Sequence, residues 1–448
     1  MNKIKLFFKN LISSFSVREI TIIIATFVVS VSLIVGGATY KKEESERVKK
    51  PIFPSVRVYD IYGTRRGIFD TSFYVQYEET VREEEINEVI EVLNEYLVPY
   101  HCLFDRHTYY FKEKPEVPNH PTPEERETLL RYNNLKVIND NIGSEVVIDE
   151  PLYDILEKAI QLSVKTNGRF NPYVGKLYDF WSLKLRPGKE YNTSIDPLYD
   201  SEEAAKLGYF LSFVPKSKED IESTLTLRKD ENKYYAKLNS FNGASKGDLE
   251  ITLGGVAKGY MEDILKEVME SRGLTRGIIN GGTSSFLTLQ DTFYTKPHSF
   301  NMACIIPDDS PLKEMGISYN MTLKGTFGMS TSGTYTGNRF IKDDVRYLRS
   351  HIIDPFTGYP ANNTHELSNA ISNELSGMEL DALTTALLVY PLDEAITFLE
   401  NTYSNIDLEY LFLLNEVNDF YVVKSSNYPG QKDATFTLFS PYREKNNE

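Results

Sequence analysis

Asp381 and Thr385 lie four residues apart in Gly377-Met378-Glu379-Leu380-Asp381-Ala382-Leu383-Thr384-Thr385-Ala386-Leu387. A helix through this stretch puts a carboxylate and a hydroxyl on one face. With backbone carbonyls from a glycine turn they supply hard oxygens, the donors Mg²⁺ prefers, and such an ion keeps positions for water or phosphate oxygens. That chemistry points to a phosphate ester. The same spacing also suits a plainer arrangement, in which Asp381 caps its helix and Thr385 bonds back to a carbonyl one turn earlier. A second chemical stretch is Leu253-Gly254-Gly255-Val256-Ala257-Lys258-Gly259-Tyr260, whose three glycines and one lysine suit an anion. Its spacing is neither the dinucleotide fingerprint nor a Walker A loop. His351 is the third candidate, as an acid, a base, a phosphate contact or a satisfied structural histidine.

These residues need elements to hold them. Leu249 to Thr252 reads as a strand and Met261 to Ser271 as a helix, so the glycines between them are expected to take positive φ in a strand-to-helix turn. Gly277 to Ile279 reads as a buried strand ending in a second glycine turn, Asn280-Gly281-Gly282. Gly328 to Gly333 is a third small-residue stretch, and His351 to Gly358 enters a proline turn. Upstream, Val56 to Tyr77 alternates like strands broken at Tyr62-Gly63-Thr64. Ile86, Val89, Ile90, Leu93 and Leu97 predict a helix over Glu83 to Leu97, ending before Pro99. His101 to Phe111 is dense in aromatics and reads as core rather than ligand wall. Pro151 to Thr166 is an amphipathic helix leading into the loop Phe170 to Gly175 and the single tryptophan, Trp181, which suits either a stacked ring ligand or the core. Leu183 to Asn232 reads as polar periphery with a helix at Ser201 to Gly208.

Composition narrows the class. The 448 residues, 41% hydrophobic and 12% aromatic, suffice for a large core, and the net charge of −15 repels phosphate backbones, which excludes nucleic acid as a partner. Cys102 and Cys304 are too few for a disulfide framework or a thiolate metal site, so oxygen is the expected metal donor. Residues 20–40 carry no charge and are long enough to cross a bilayer as a helix. The lysines of 1–19 favour a cytoplasmic N-terminus there, with a charged linker at 41–54, so the expectation is a single-pass cell-membrane protein with its catalytic part extracytoplasmic. The proline-rich run Lys114 to Glu125 reads as an exposed insertion.

Five stretches in order carry a resemblance: Phe170-Asn171-Pro172-Tyr173-Val174-Gly175, Leu253 to Gly259, Asn280-Gly281-Gly282, Ser350-His351-Ile352-Ile353-Asp354-Pro355 to Gly358, and Asp381-Ala382-Leu383-Thr384-Thr385. Together they resemble the ApbE family of FAD:protein FMN transferases. The resemblance implies one α/β domain, mixed α+β in character, over 55–440. It also implies Mg²⁺-dependent transfer of FMN from FAD to a Thr or Ser hydroxyl of an exported acceptor protein, with release of AMP. The metal ligands it implies are the carbonyl of Gly255 with Asp381 and Thr385. The FAD contacts are Lys258, Phe170, Asn171 and His351, then Tyr62 and Asn280, Gly281 and Gly282. His351 and Asp381 are the catalytic pair, His351 handling the proton. Many family members carry Asp at the places of Thr252 and Asn171, Pro at Lys176 and an acidic or smaller residue at Thr384. Two other readings use the same residues: a Mg²⁺-dependent FAD pyrophosphatase yielding FMN and AMP, and a non-catalytic surface FAD-binding protein.

Overall fold

The computed structural model describes residues 58–63, 68–78, 82–109, 130–186, 189–282, 284–290, 298–303, 318–323, 325–334, 337–416, 419–430, 435–438 and 443–444. All belong to the compact unit Val56–Glu448. The N-terminal segment 1–19, the expected anchor 20–40, the linker 41–54, the insertion Lys114 to Glu125 and Cys304 lie outside the described residues. Among the described residues no helix is long and apolar enough to cross a membrane.

A nine-stranded sheet organises the chain. Its strands are β1 (Val58–Tyr62), β2 (Phe73–Glu78), β3 (Gly277–Gly281), β4 (Ser285–Thr288), β5 (Gly328–Gly333), β6 (His365–Ser372), β7 (Leu408–Glu416), β8 (Asp419–Lys424) and β9 (Arg443–Glu444), lying side by side in chain order. Every neighbouring pair is antiparallel except the last. Antiparallel neighbours need no crossover helix between them, so the mixed expectation resolves to α+β. Smaller elements flank the sheet: a three-stranded sheet of Val146–Ile148, Lys233–Leu238 and Leu225–Asp230, and a hairpin of Asn338–Lys342 with Val345–Arg349.

Among the described residues the α-helices are α1 (Glu83–Phe104), α2 (Leu135–Asp140), α3 (Glu150–Lys165), α4 (Gly175–Ser182), α5 (Ser201–Leu211), α6 (Lys218–Thr224), α7 (Ala257–Ser271), α8 (Gly377–Val389) and α9 (Leu392–Thr402). In the apolar stripe of α1, Val89, Leu93 and Leu97 are buried and Ile86 and Ile90 half-buried, and the helix runs through Pro99 to Phe104. A proline inside a helix costs about 3 kcal/mol. Burying Val98, Tyr100, Leu103 and Phe104, at roughly 1.5–3 kcal/mol for each large side chain, outweighs it.

α7 packs on β3, β4, α1 and α8, while α8 lies against β5 and β6. Two features differ from the sequence reading here. Leu249 to Thr252 joins no sheet, because its backbone finds other partners. Asn139 Nδ2 donates to the Ile251 carbonyl (3.0 Å), the Ile251 N–H donates to Asn139 Oδ1 (2.8 Å), and the Thr252 N–H donates to the Pro172 carbonyl (2.7 Å). One side-chain amide thus replaces a neighbouring strand. Second, α7 begins at Ala257, so Lys258 and Gly259 occupy its first turn. Gly254, Gly255 and Gly259 do not take positive φ. Close approach explains Gly259: a Cβ there would lie 2.1 Å from the Gly377 carbonyl oxygen, so the starts of α7 and α8 touch backbone to backbone.

Candidate active site

That contact sets the floor of the site. Lys258, in the first turn of α7, stands over the start of α8, and Asp381, one turn into α8, points back at α7. The Gly259 N–H donates to Asp381 Oδ2 at 3.3 Å. Asp263 caps α8 by accepting from the N–H groups of Gly377 (2.7 Å) and Met378 (2.9 Å). Burial raises the Asp263 carboxyl to about 6 against those two bonds. Asp381 is buried, and burial raises its pKa, with Lys258 and the Gly259 amide opposing. Among the described residues, Lys258 has no ion pair within 4 Å. The floor therefore carries an ammonium and a carboxylate with unspent capacity.

Thr385 lies beside Gly255. A Cβ on Gly255 would sit 3.4 Å from Thr385 Oγ1 and 3.2 Å from the Phe170 ring. Thr385 Oγ1 is 3.4 Å from Ser332 Oγ on β5, and Ser332 also contacts Thr384 (3.0 Å). The plainer reading of Asp381 and Thr385 does not describe this geometry. The helix is capped by Ser376, whose hydroxyl accepts from the Glu379 N–H, and it is Thr384 that bonds back to the Leu380 carbonyl.

These groups line one cleft of about 680 Å³, within the range of roughly 300–1,000 Å³ for small-molecule sites. Phe170, Asn171, Gly255, Lys258, His351, Asp381 and Thr385 all face it. His351 shows open surface in the cleft while protein crowds it elsewhere. That crowding first, and Lys258 second, push its pKa down to about 4. Water at the open edge softens the shift without changing its sign, so the ring is neutral at neutral pH. Asn171 acts mainly inward. Its Nδ2 donates to the Pro215 carbonyl (2.8 Å) and its Oδ1 accepts from the Tyr173 N–H (3.0 Å), which shapes the turn that carries Phe170.

Four expected contacts lie elsewhere. Tyr62 sits on β1 with its ring 5.1 Å from Tyr74. Asn280, Gly281 and Gly282 are not among the cleft residues. Their turn supports one instead, since Thr71 Oγ1 donates to the Gly281 carbonyl (3.3 Å) and Thr71 faces the cleft. The sequence reading missed Phe69, Thr71 and Ser332. It also placed His101 to Phe111 in the core, where the helix divides it: Cys102 and Leu103 are buried, while His101, Asp105, Arg106 and His107 face the cleft. Residues three and four apart at the end of α1 were the available signal. Trp181 is fully buried with Nε1 donating to the Gly358 carbonyl (2.7 Å), so it is core. A second hollow of about 420 Å³ beside α9 holds none of the candidate residues.

The model of the ApbE family matches residues 126–411. The chain belongs to the ApbE family. Among its relatives, the FAD:protein FMN transferase of Treponema pallidum (strain Nichols) is 22% identical over 335 residues, 67% of this chain and 80% of that protein. The FAD:protein FMN transferase of Escherichia coli (strain K12) is 25% identical over 268 residues, 60% of this chain and 65% of that protein. Among solved structures, the ApbE protein of Thermotoga maritima superposes with a TM-score of 0.54 at 19% identity, covering 83% of this chain and 98% of that one. The flavin transferase ApbE of Vibrio cholerae gives a TM-score of 0.54 at 20% identity, covering 84% and 99%. At these identities the structural likeness establishes the ApbE fold.

Proposed function

We propose that this ApbE-family chain transfers the FMN half of FAD to a Thr or Ser hydroxyl of an exported protein and releases AMP. The observation that carries the reading is the convergence of Gly255, Asp381 and Thr385 beside Lys258 and His351 in one cleft. Relatives named FAD:protein FMN transferase support the transfer of FMN from FAD to a protein.

The donor set suits Mg²⁺: a buried carboxylate with one long hydrogen bond, a hydroxyl, and a glycine whose missing Cβ leaves room beside that hydroxyl. Asp381, Thr385 and the Gly255 carbonyl would hold such an ion, which would supply charge neutralisation at a pyrophosphate. The remaining work falls to the chain. Lys258, at the start of α7, adds its ammonium and the helix N-terminus to the binding of the phosphates. Phe170 forms a flat apolar wall. The acceptor hydroxyl oxygen forms a bond to the FMN-side phosphorus while the bond from that phosphorus to the AMP-side oxygen breaks. The hydroxyl proton passes to an imidazole nitrogen of His351, whose ring burial and Lys258 keep neutral at neutral pH. Residues 20–40 tether this part outside the cell membrane.

Incubating the full chain with FAD, Mg²⁺ and an exported candidate acceptor tests the reading. Fluorescent acceptor with stoichiometric AMP is the expected result. Free FMN with unlabelled acceptor indicates the pyrophosphatase, and unchanged FAD indicates a binding protein. Protease shaving of intact cells that spares the catalytic part overturns the tether orientation.

A further inference from the structure

Arg106, which faces the cleft, belongs to a cluster of charges that the proposed reaction does not use. Arg106, just past α1, donates from Nη2 to Asp179 Oδ1 (2.7 Å) and from Nη1 to Glu250 Oε1 (2.8 Å). Lys176 Nζ lies 3.3 Å from Asp179 Oδ2 and 3.2 Å from Glu250 Oε2. Two cations and two anions form a closed, neutral ring in which all four carboxylate oxygens are engaged. Arg106 is 7% exposed, so its two charge-assisted bonds, one to each carboxylate, work in a poorly solvated setting. The ring joins three segments distant in sequence: the end of α1, the first turns of α4, and the extended stretch that leads into the Leu253 to Gly255 turn. Backbone contacts run alongside. The Gly175 N–H donates to the Glu250 carbonyl (3.0 Å), and a Cβ on Gly175 would lie 2.6 Å from that oxygen.

We propose that this ring is a latch that fixes the Phe170 turn against the Gly255 turn and so sets the width of the cleft. Phe170 belongs to the segment that α4 continues, and Gly255 follows Glu250 by five residues. Their side-by-side placement, with the Phe170 ring 3.2 Å from a Cβ built on Gly255, is what the ring holds. Arg106 faces the cleft, yet its guanidinium is committed to two carboxylates. It is therefore a positioning residue, and phosphate recognition is left to Lys258. The consequence for FAD rests on the flavin reading above; the latch itself does not.

Two measurements on the full chain separate these. In hydrogen exchange, Arg106→Met raises exchange of the amides of 170–175 and 250–255 about tenfold and leaves the interiors of α7 and α8 unchanged. In steady-state kinetics the same variant raises KM for FAD about tenfold while kcat changes less than about threefold, the mark of lost ground-state positioning. Arg106→Lys, which can reach one carboxylate at a time, falls between. Lys176→Met, on the more open side of the ring, shows the same pattern at about threefold, and decides the matter if Arg106→Met does not fold. Unchanged exchange in both segments overturns the latch. So does a collapse of kcat at constant KM, because Arg106 would then act at the reacting atoms. Failure of the wild type to bind or convert FAD removes the flavin reading and leaves the exchange result to decide the latch.

Discussion

Two buried charge sites in this chain are built on opposite principles. Asp196 and Arg349 form a pair 0% and 2% exposed at the side chain in which little is left over. Arg349 Nε and Nη2 donate to the two oxygens of Asp196 at 2.7 and 3.2 Å, and Asp196 also accepts from the Tyr191 hydroxyl (2.8 Å) and the Leu198 N–H (3.0 Å). Four rings, Trp181, Phe340, Tyr347 and Tyr359, stand within 5.5 Å of the Arg349 guanidinium. Asp381, equally buried, has one amide bond at 3.3 Å, and Lys258 beside it has no ion pair among the described residues. The first site is complete without a ligand. The second is arranged so that something else completes it. A buried charge is retained cheaply only when fully paired, so the difference separates a structural pair from a binding site.

Asparagine at each position breaks the comparison. Asp381→Asn keeps the shape and removes the charge; turnover, followed as AMP release, should fall about 10³-fold, or about 4 kcal/mol. Its thermal midpoint should hold or rise, since an underpaired buried carboxyl is gone. A large loss of stability with turnover intact would place Asp381 among the structural charges. Asp196→Asn should do the reverse. Leaving Arg349 buried and uncompensated costs about 3–5 kcal/mol, read as a shift of the urea midpoint at constant slope, while activity per folded molecule stays within about twofold.

The smallest expected effect concerns His351. An unperturbed imidazole titrates near about 6.5, and here crowding and Lys258 lower that value. A base works in its neutral form, so its competence is present above the folded pKa and is lost as pH falls through it. The acidic limb of kcat/KM should therefore lie below about 6.5, toward 4, and should vanish in His351→Gln. The same shift means that protonation opposes folding, so its contribution to stability is lost as pH drops through that window. A limb above about 7 would show His351 to be charged in the resting cleft.

The sequence showed this site better than it showed the path of the chain around it. Asp381, Thr385, Lys258 and His351 were legible because they stand in ordered stretches that resemble the ApbE family, whereas spacing alone suited a capping aspartate and a structural histidine as well. Phe69 and Thr71 were not, because their approach to the cleft depends on β1, β2 and α1 packing together. The strand expected at Leu249 to Thr252 failed because Asn139, more than a hundred residues earlier, supplies its hydrogen bonds. Lys176 appeared in sequence only as a departure from a common proline, and its two carboxylate partners became visible only in three dimensions. Asp196 lay in a stretch that read as periphery, and nothing local marks it as the partner of Arg349.

The Gly259 to Gly377 contact reaches beyond packing. Neither helix can roll about its axis without driving backbone into backbone, so the main-chain positions that carry Lys258 and Asp381 keep a constant separation. The conformational entropy of aligning them is surrendered once, when the polypeptide folds, and is not charged again to each molecule that enters.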